Sequence, residues 1–197
     1  MPTNGNQAKP KSLRTFVVYV EDKPGVLNRA VSLFRRRNFN IDSLAVGHSD
    51  QSGVSRMTIV MEADDKTARL VEANLYKLVN VLRVEDVSLS PAVMRDLALI
   101  KVRATAEERP QVLQIVEVFR ARVVDVTPEA LMVEITGTED KIEGLLDVLR
   151  PFGIIEMART GTVAMRRGSE GTSVQPGFVH ARLPNGSGQE RVHPGTN

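Results

Sequence analysis

The chain has no cysteine and no tryptophan, and only two tyrosines, six phenylalanines and three histidines among its 197 residues. Each scarcity closes a class of function. Without cysteine there are no disulfides, thiolate nucleophiles, iron–sulfur clusters or cysteine zinc sites, a composition that fits a reducing cytoplasm, which is the compartment expected. Eight aromatic rings are too few for a base-stacking surface, so no nucleic-acid partner is expected. Two of the histidines, His180 and His193, fall in a polar C-terminal stretch, leaving His48 alone in the part that reads as folded. No His-rich metal site and no Ser-His-Asp arrangement can be assembled there. Long apolar runs are missing too. The longest candidate, Phe16 to Val20, is far short of the ~18 to 20 residues that span a bilayer, and the N-terminus lacks a signal-peptide segment, so no membrane partner is expected.

What is present begins with charge. The isoelectric point of about 9.1 suggests a basic protein, but the excess is local. Residues 1–14 carry Lys9, Lys11 and Arg14 with no acid, residues 168–197 balance Arg182 and Arg191 against Glu170 and Glu190, and the remainder holds 21 basic and 22 acidic residues. Basicity therefore belongs to the leader and argues for no anionic partner of the folded part.

Both ends read as disordered, over 1–12 and 168–197, the latter holding six of the fourteen glycines and three of the ten prolines with little apolar surface to offset the entropy of ordering. Between them the chain reads as two similar halves, 13–90 and 91–167. In the first, a strand at Phe16 to Glu21 leads through Asp22-Lys23-Pro24-Gly25 into a helix with Leu27, Ala30, Val31 and Phe34 on one stripe. Strands at Ile41 to Gly47 and Met57 to Glu62, a helix at Lys66 to Leu78 and a strand at Leu82 to Leu89 follow. The second half repeats the order. Val112, Ile115, Val116 and Phe119 match the first helix at an offset of 85, Asp140-Lys141 match Asp65-Lys66 at an offset of 75, and the difference predicts about ten residues missing between the second and third strands of the second copy. Two tandem βαββαβ units make an α+β protein of ferredoxin-like domains, each an antiparallel sheet with both helices on one face.

Chemistry-bearing motifs are sparse. There is no phosphate-cradling glycine loop, and the acid pairs Glu21-Asp22, Asp64-Asp65, Glu107-Glu108 and Glu139-Asp140 sit at strand-to-helix junctions, where they favour the positive helix N-terminus. Asp22-Lys23-Pro24-Gly25 is the most informative segment. A helix opening at Pro24-Gly25 leaves the amides of Gly25, Val26 and Leu27 free to meet a carboxylate, and Gly25 has no side chain to block the approach. A plain Pro-Gly turn capped by Asp22 is the alternative, and both readings stand at this point. Asn40, at the start of the next strand, offers an amide that both donates and accepts. The equivalent junction of the second half, Glu107-Glu108-Arg109-Pro110, lacks the glycine. Arg35-Arg36-Arg37 is a basic cluster at a helix C-terminus, where cations complement the dipole.

Glu21-Asp22-Lys23-Pro24-Gly25-Val26-Leu27, then Phe39-Asn40-Ile41-Asp42-Ser43-Leu44 and Ser55-Arg56-Met57-Thr58-Ile59, resemble the ACT domain of the small, regulatory subunit of acetolactate synthase (acetohydroxyacid synthase). The resemblance spans about residues 13–167 and continues through Lys77-Leu78-Val79, Asp125-Val126-Thr127-Pro128 and Ala158-Arg159-Thr160-Gly161. It implies a noncatalytic chain that activates a large subunit and confers feedback inhibition by valine or another branched-chain amino acid. It also implies a homodimer through the ACT domains with the effector at that interface, no cofactor in this chain, and thiamine diphosphate, magnesium and FAD in the large catalytic partner. Carried over by residue, the backbone of Gly25, Val26 and Leu27 holds the effector carboxylate, Asp22 and Asn40 meet its charged groups, and Asn28 and Ile41 shape the pocket. A ferredoxin-like RNA-binding module and an acylphosphatase-like enzyme share the fold and are the alternatives.

Overall fold

The computed structural model describes residues 11–169, 171 and 174. The expected leader and tail otherwise lie outside the described residues. The elements run β1 (Ser12–Glu21), α1 (Val26–Arg36), β2 (Ser43–His48), β3 (Val54–Ala63), α2 (Asp65–Leu75), β4 (Val81–Asp86), β5 (Ala92–Arg103), α3 (Arg109–Val118), β6 (Arg122–Val126), β7 (Ala130–Gly137), α4 (Glu139–Leu149), β8 (Ile154–Arg159) and β9 (Val163–Arg166). The first sheet has the order β2-β3-β1-β4, and the second β6-β7-β5-β8. All ladders are antiparallel, and the tandem βαββαβ reading holds.

Burial follows the strand period of two. In the first half, Phe16, Val18 and Val20 of β1 meet Ala30, Leu33 and Phe34 of α1 and Val71 and Leu75 of α2; in the second, Ile100 and Val102 meet Val112, Val116, Ile142, Leu145 and Leu149. Helix α2 begins where the Asp64 carboxylate accepts the Thr67 amide at 2.7 Å, a cap that satisfies one of the helix's free donors. That bond holds the Asp64 carboxyl below its ordinary value of 3.8. Buried Arg14 on β1 pairs with Asp65 at the start of α2 and with Asp86 at the end of β4, joining three elements.

Three expectations are corrected. Helix α1 buries Val26, Ala30, Leu33 and Phe34 and leaves Leu27 and Val31 at 42% and 38% exposure. The repeat offset through β5 and α3 is accordingly 82: Ile100 stands where Val18 does, Val112 where Ala30 does, and Arg120 where Asn38 does, both with left-handed φ near 50°. An apolar stripe at i, i+3, i+4 and i+7 nearly reproduces itself after a three-residue slide, which is why periodicity alone placed it at 85. Third, β5 extends back to Ala92 and pairs with an additional strand, β9, through Ala92↔Arg166 and Met94↔Ala164. This two-stranded ribbon lies on the face of the first sheet that carries no helices. Ala164, Ala92 and Met94 pack there on Val17, Tyr19, Val54 and Val87, joined by buried Val174. The Arg56 guanidinium stands 5.7 Å from the Tyr19 ring and donates to the Ala164 carbonyl. Strand β9 is four residues long with one buried position, too short for its period to be read.

Two outcomes follow. Leu145→Ala empties a fully buried site and should lower the unfolding free energy by about 2–5 kcal/mol, read by urea denaturation. Because the Asp64 carboxyl titrates lower folded than unfolded, its stabilisation is present above pH 3.8 and lost as pH falls below it. Asp64→Ala should flatten that acid limb of the stability profile.

Candidate functional site

Strand β1 ends in a tight turn. The Lys23 amide donates to the Glu21 carbonyl at 2.9 Å and the Val26 amide to the Lys23 carbonyl at 3.3 Å. The Glu21 carboxyl is held below the usual range by hydrogen bonds from Lys23 and then Asn80. Gly25 is the cap residue of α1 at φ +80°, a left-handed conformation that strains any residue with a Cβ. Arg29 donates its amide to the Gly25 carbonyl at 3.0 Å, and its Nη1 lies 3.7 Å from where a Cβ on Gly25 would stand. Leu27 and Asn28 lie between these bonds, with first-turn amides that have no acceptor inside the helix.

Two sequence readings change here. Val26 spends its amide on the turn and buries its side chain, so the free amides begin at Leu27. Asp22 does not cap α1, which has no side-chain cap. Its carboxylate accepts from Ser55 Oγ at 3.0 Å and faces His48 Nδ1 at 3.3 Å, while its amide donates to the Gly53 carbonyl at 2.8 Å. Asp22 therefore ties the glycine turn to the β2–β3 hairpin.

Asn40 and Ile41 stand elsewhere. They follow α1, whose eleven residues put its two ends ~16 Å apart. Asn40 is exposed and donates from Nδ2 to Asp42 Oδ1 at 2.7 Å. With Val31, Phe34, Arg35, Asn38 and Phe39, these residues line an open cleft of about 480 Å³. The seven candidate residues thus form two groups at opposite ends of one helix, linked along its surface by exposed Leu27 and Val31. Closeness in sequence on either side of a helix is not closeness in space. Sequence reasoning missed Arg29 and His48, and the signal for Arg29 was its place one turn after Gly25.

The second half closes the equivalent helix start. Arg109 Nη2 donates to the Thr127 and Pro128 carbonyls, both at 2.7 Å, bolting the start of α3 to the β6–β7 turn. After the helices, Phe39 and Ala121 make equivalent bonds back to Phe34 and Val116, and within the sheets Val46 and Val123 stand against Met57 and Val133. Phe39 to Val46 is seven positions, whereas Ala121 to Val123 is two. The five residues absent from the second copy include the counterparts of Asn40 and Ile41. Helix α4 begins at Glu139 where α2 begins at Asp65, an offset of 74 rather than 75, so the deficit is eight residues rather than ten, and five of the eight lie before β6 rather than in the hairpin.

The alternatives find little support in this geometry. The helix-free face of the first sheet, where an RNA-binding relative would present aromatics, lies under Ala164 with Tyr19 buried. Arg37 of the basic cluster donates to Asn74. Among the described residues no group of three acids or histidines is placed to hold a metal, and no helix is long and apolar enough to cross a membrane.

Comparison with known proteins resolves the family. Residues 95–168 match the model of the small subunit of acetolactate synthase, and residues 16–83 that of the AHAS small subunit-like ACT domain. The chain belongs to the acetolactate synthase small-subunit family. It is 51% identical over 157 residues to the acetolactate synthase small subunit of Mycolicibacterium smegmatis, covering 80% of this chain and 92% of that one. The small subunit of Mycobacterium leprae is 50% identical over 157 residues, covering 80% and 93%. The crystal structure of the small subunit from Thermotoga maritima superposes with a TM-score of 0.76 at 40% identity, covering 81% and 99%. Membership in a family of synthase subunits implies association with a catalytic subunit.

The Asp22 link carries its own test. Asp22→Ala should free the β2–β3 hairpin, seen as lower backbone order parameters over residues 48–55, with α1 unchanged.

Proposed function

We propose that this chain is the noncatalytic, regulatory subunit of acetolactate synthase, activating a thiamine-diphosphate-dependent large subunit and inhibiting it when a branched-chain amino acid, valine first, is bound. The observation that carries this reading, within the family already assigned, is the open start of α1: left-handed Gly25, the unclaimed amides of Leu27 and Asn28, and the Arg29 guanidinium beside them. Together they suit a carboxylate.

The split of the site into two groups is resolved by a two-fold dimer. An isologous contact sets the same surface of two copies face to face. If α1 packs antiparallel on its counterpart, the Gly25 end of one protomer meets the Asn40 end of the other. Leu27 and Val31, exposed on a helix of a folded chain, become the apolar seam. Two equivalent sites result, each with a carboxylate-binding helix start from one copy and the Asn40–Ile41 segment from the other. Asp22 and Asn40 then face the ammonium and carboxylate of one ligand, and Asn28 and Ile41 bound its side chain.

For inhibition the effector must bind two states of the complex unequally. A coupling of ~1–3 kcal/mol corresponds to a ~5 to 150-fold change in affinity, and it is reciprocal: a ligand that shifts subunit association has its own affinity shifted equally.

Gly25→Asp places a carboxylate, on a strained backbone, against the effector's own. Calorimetric titration of the variant with valine should show at least a tenfold loss of affinity, and the assembled synthase should keep its activation while losing valine inhibition. Unaltered valine sensitivity would place the site elsewhere.

A further inference from the structure

The β5–β9 ribbon has two faces, and one is unaccounted for. Ala92, Met94 and Ala164 point to the first sheet. Their neighbours Val93, Arg95, Val163 and Met165 point away, and Val163 and Met165 are 50% and 65% exposed; exposed Arg167 follows the end of β9, at a cleft it lines with Glu85 and Ser90. The register places Val93 against Met165 and Arg95 against Val163, so these side chains form one patch. Along the same strand the alternation continues to Leu97 and to Leu99, which is 36% exposed on the helix-free face of the second sheet. Apolar positions therefore continue on this face of β5 beyond Arg95, from the ribbon into the second sheet. The ribbon has no counterpart in the βαββαβ repeat and no role in the effector site.

We infer that this face is the docking surface for the catalytic subunit, with an apolar centre at Val163 and Met165 and a basic rim at Arg95 and Arg167 that meets acidic groups of the partner. This rests on the function proposed above. Charge decides the occupant. Arg95 has no ion-pair partner among the described residues, and the outward positions Val93, Arg95, Val163 and Met165 carry no carboxylate. A second copy docked by a two-fold axis would set these arginines against each other, whereas a different chain can present complementary charge. The composition also suits an interface core, where methionine and arginine are enriched. The second copy is already assigned to α1.

The test uses the full chain and the purified catalytic subunit, with Met165→Glu and the double variant Arg95→Glu, Arg167→Glu. All three positions are exposed, and urea denaturation checks that folding is unchanged. Titrated against the catalytic subunit, each variant should lose at least tenfold in affinity, and the arginine variant should lose most of the salt dependence of binding. Valine affinity and the mass of the free regulatory dimer should not change. Catalytic-subunit affinity equal to that of the unmodified chain would overturn the assignment. A variant that loses the dimer and keeps its catalytic-subunit affinity would also overturn it, giving the face to a second copy. Failure of the unmodified chain to bind the catalytic subunit would instead overturn the proposed function, and this assignment with it.

Discussion

A four-stranded sheet with both helices on one side has a second side to cover. Here that side carries Val17 and Tyr19 of the central strand β1, with Val54 and Val87 beside them, all buried. Leaving them in water would forfeit roughly 1.5–3 kcal/mol for each large apolar side chain, a serious loss for a domain of this size. The cover comes from the other half of the chain: the start of β5, strand β9 and Val174. Arg56 secures it by donating to the Ala164 carbonyl while resting beside Tyr19. The two ferredoxin-like units are therefore one folding problem, because the helix-free face of the first sheet is covered by Ala92, Met94, Ala164 and Val174, all from later in the chain.

The same constraint reaches the candidate site. Between β8 and β9 the chain crosses β2, the edge strand that follows the Asn40–Ile41 segment. The Thr162 amide donates to Ser43 Oγ at 2.8 Å, and Gly161 lies so close to the Leu44 carbonyl that a Cβ would collide with it. Ser43, Ala45 and Gly47 alternate along this side of β2, and their small size admits the crossing segment. A displacement of β2 cannot be local, since backbone packed against backbone has no side-chain slack to absorb it. The Asn40–Ile41 segment thus leads directly into the strand on which the second half is seated.

The sequence revealed architecture better than contact. Element order and sheet class followed from periodicity, since Phe16, Val18 and Val20 or Leu131, Val133 and Ile135 alternate cleanly. The register between halves was misread because an amphipathic helix resembles itself three residues on. Periodicity puts Leu27 and Val31 on the apolar stripe of α1, although Val26 and Leu33 are the residues that join Ala30 and Phe34 in the core; apolar character alone cannot say whether a helix face meets its own sheet or another chain. Strand β9 was invisible because its reason for existing, the bare side of the first sheet, is a tertiary fact. At the site, left-handed Gly25 was legible from Pro-Gly after a strand. That Asp22 serves the hairpin was not, because its partners Ser55 and His48 are distant in sequence. Nor was the split between Gly25 and Asn40, which depends on the length and direction of α1.

The two halves diverge at few places. Their sheets agree strand for strand, and their helices carry equivalent buried positions. The differences concentrate at the two ends of the first helix of each unit. At one end, a left-handed glycine leaves the helix start open, whereas Arg109 occupies the neighbouring space and spends its guanidinium on the Thr127 and Pro128 carbonyls. At the other end, the segment bearing Asn40 and Ile41 is present in one copy and cut out of the other. The first helix exposes Leu27 and Val31 between those ends; at the matching positions the second has Arg109 and Leu113. Under the function proposed above, each site is completed by a second copy, so ligand recognition and self-association would be gained or lost together: a unit that closed its helix start would gain nothing from the seam, and one that lost the seam could not complete the site.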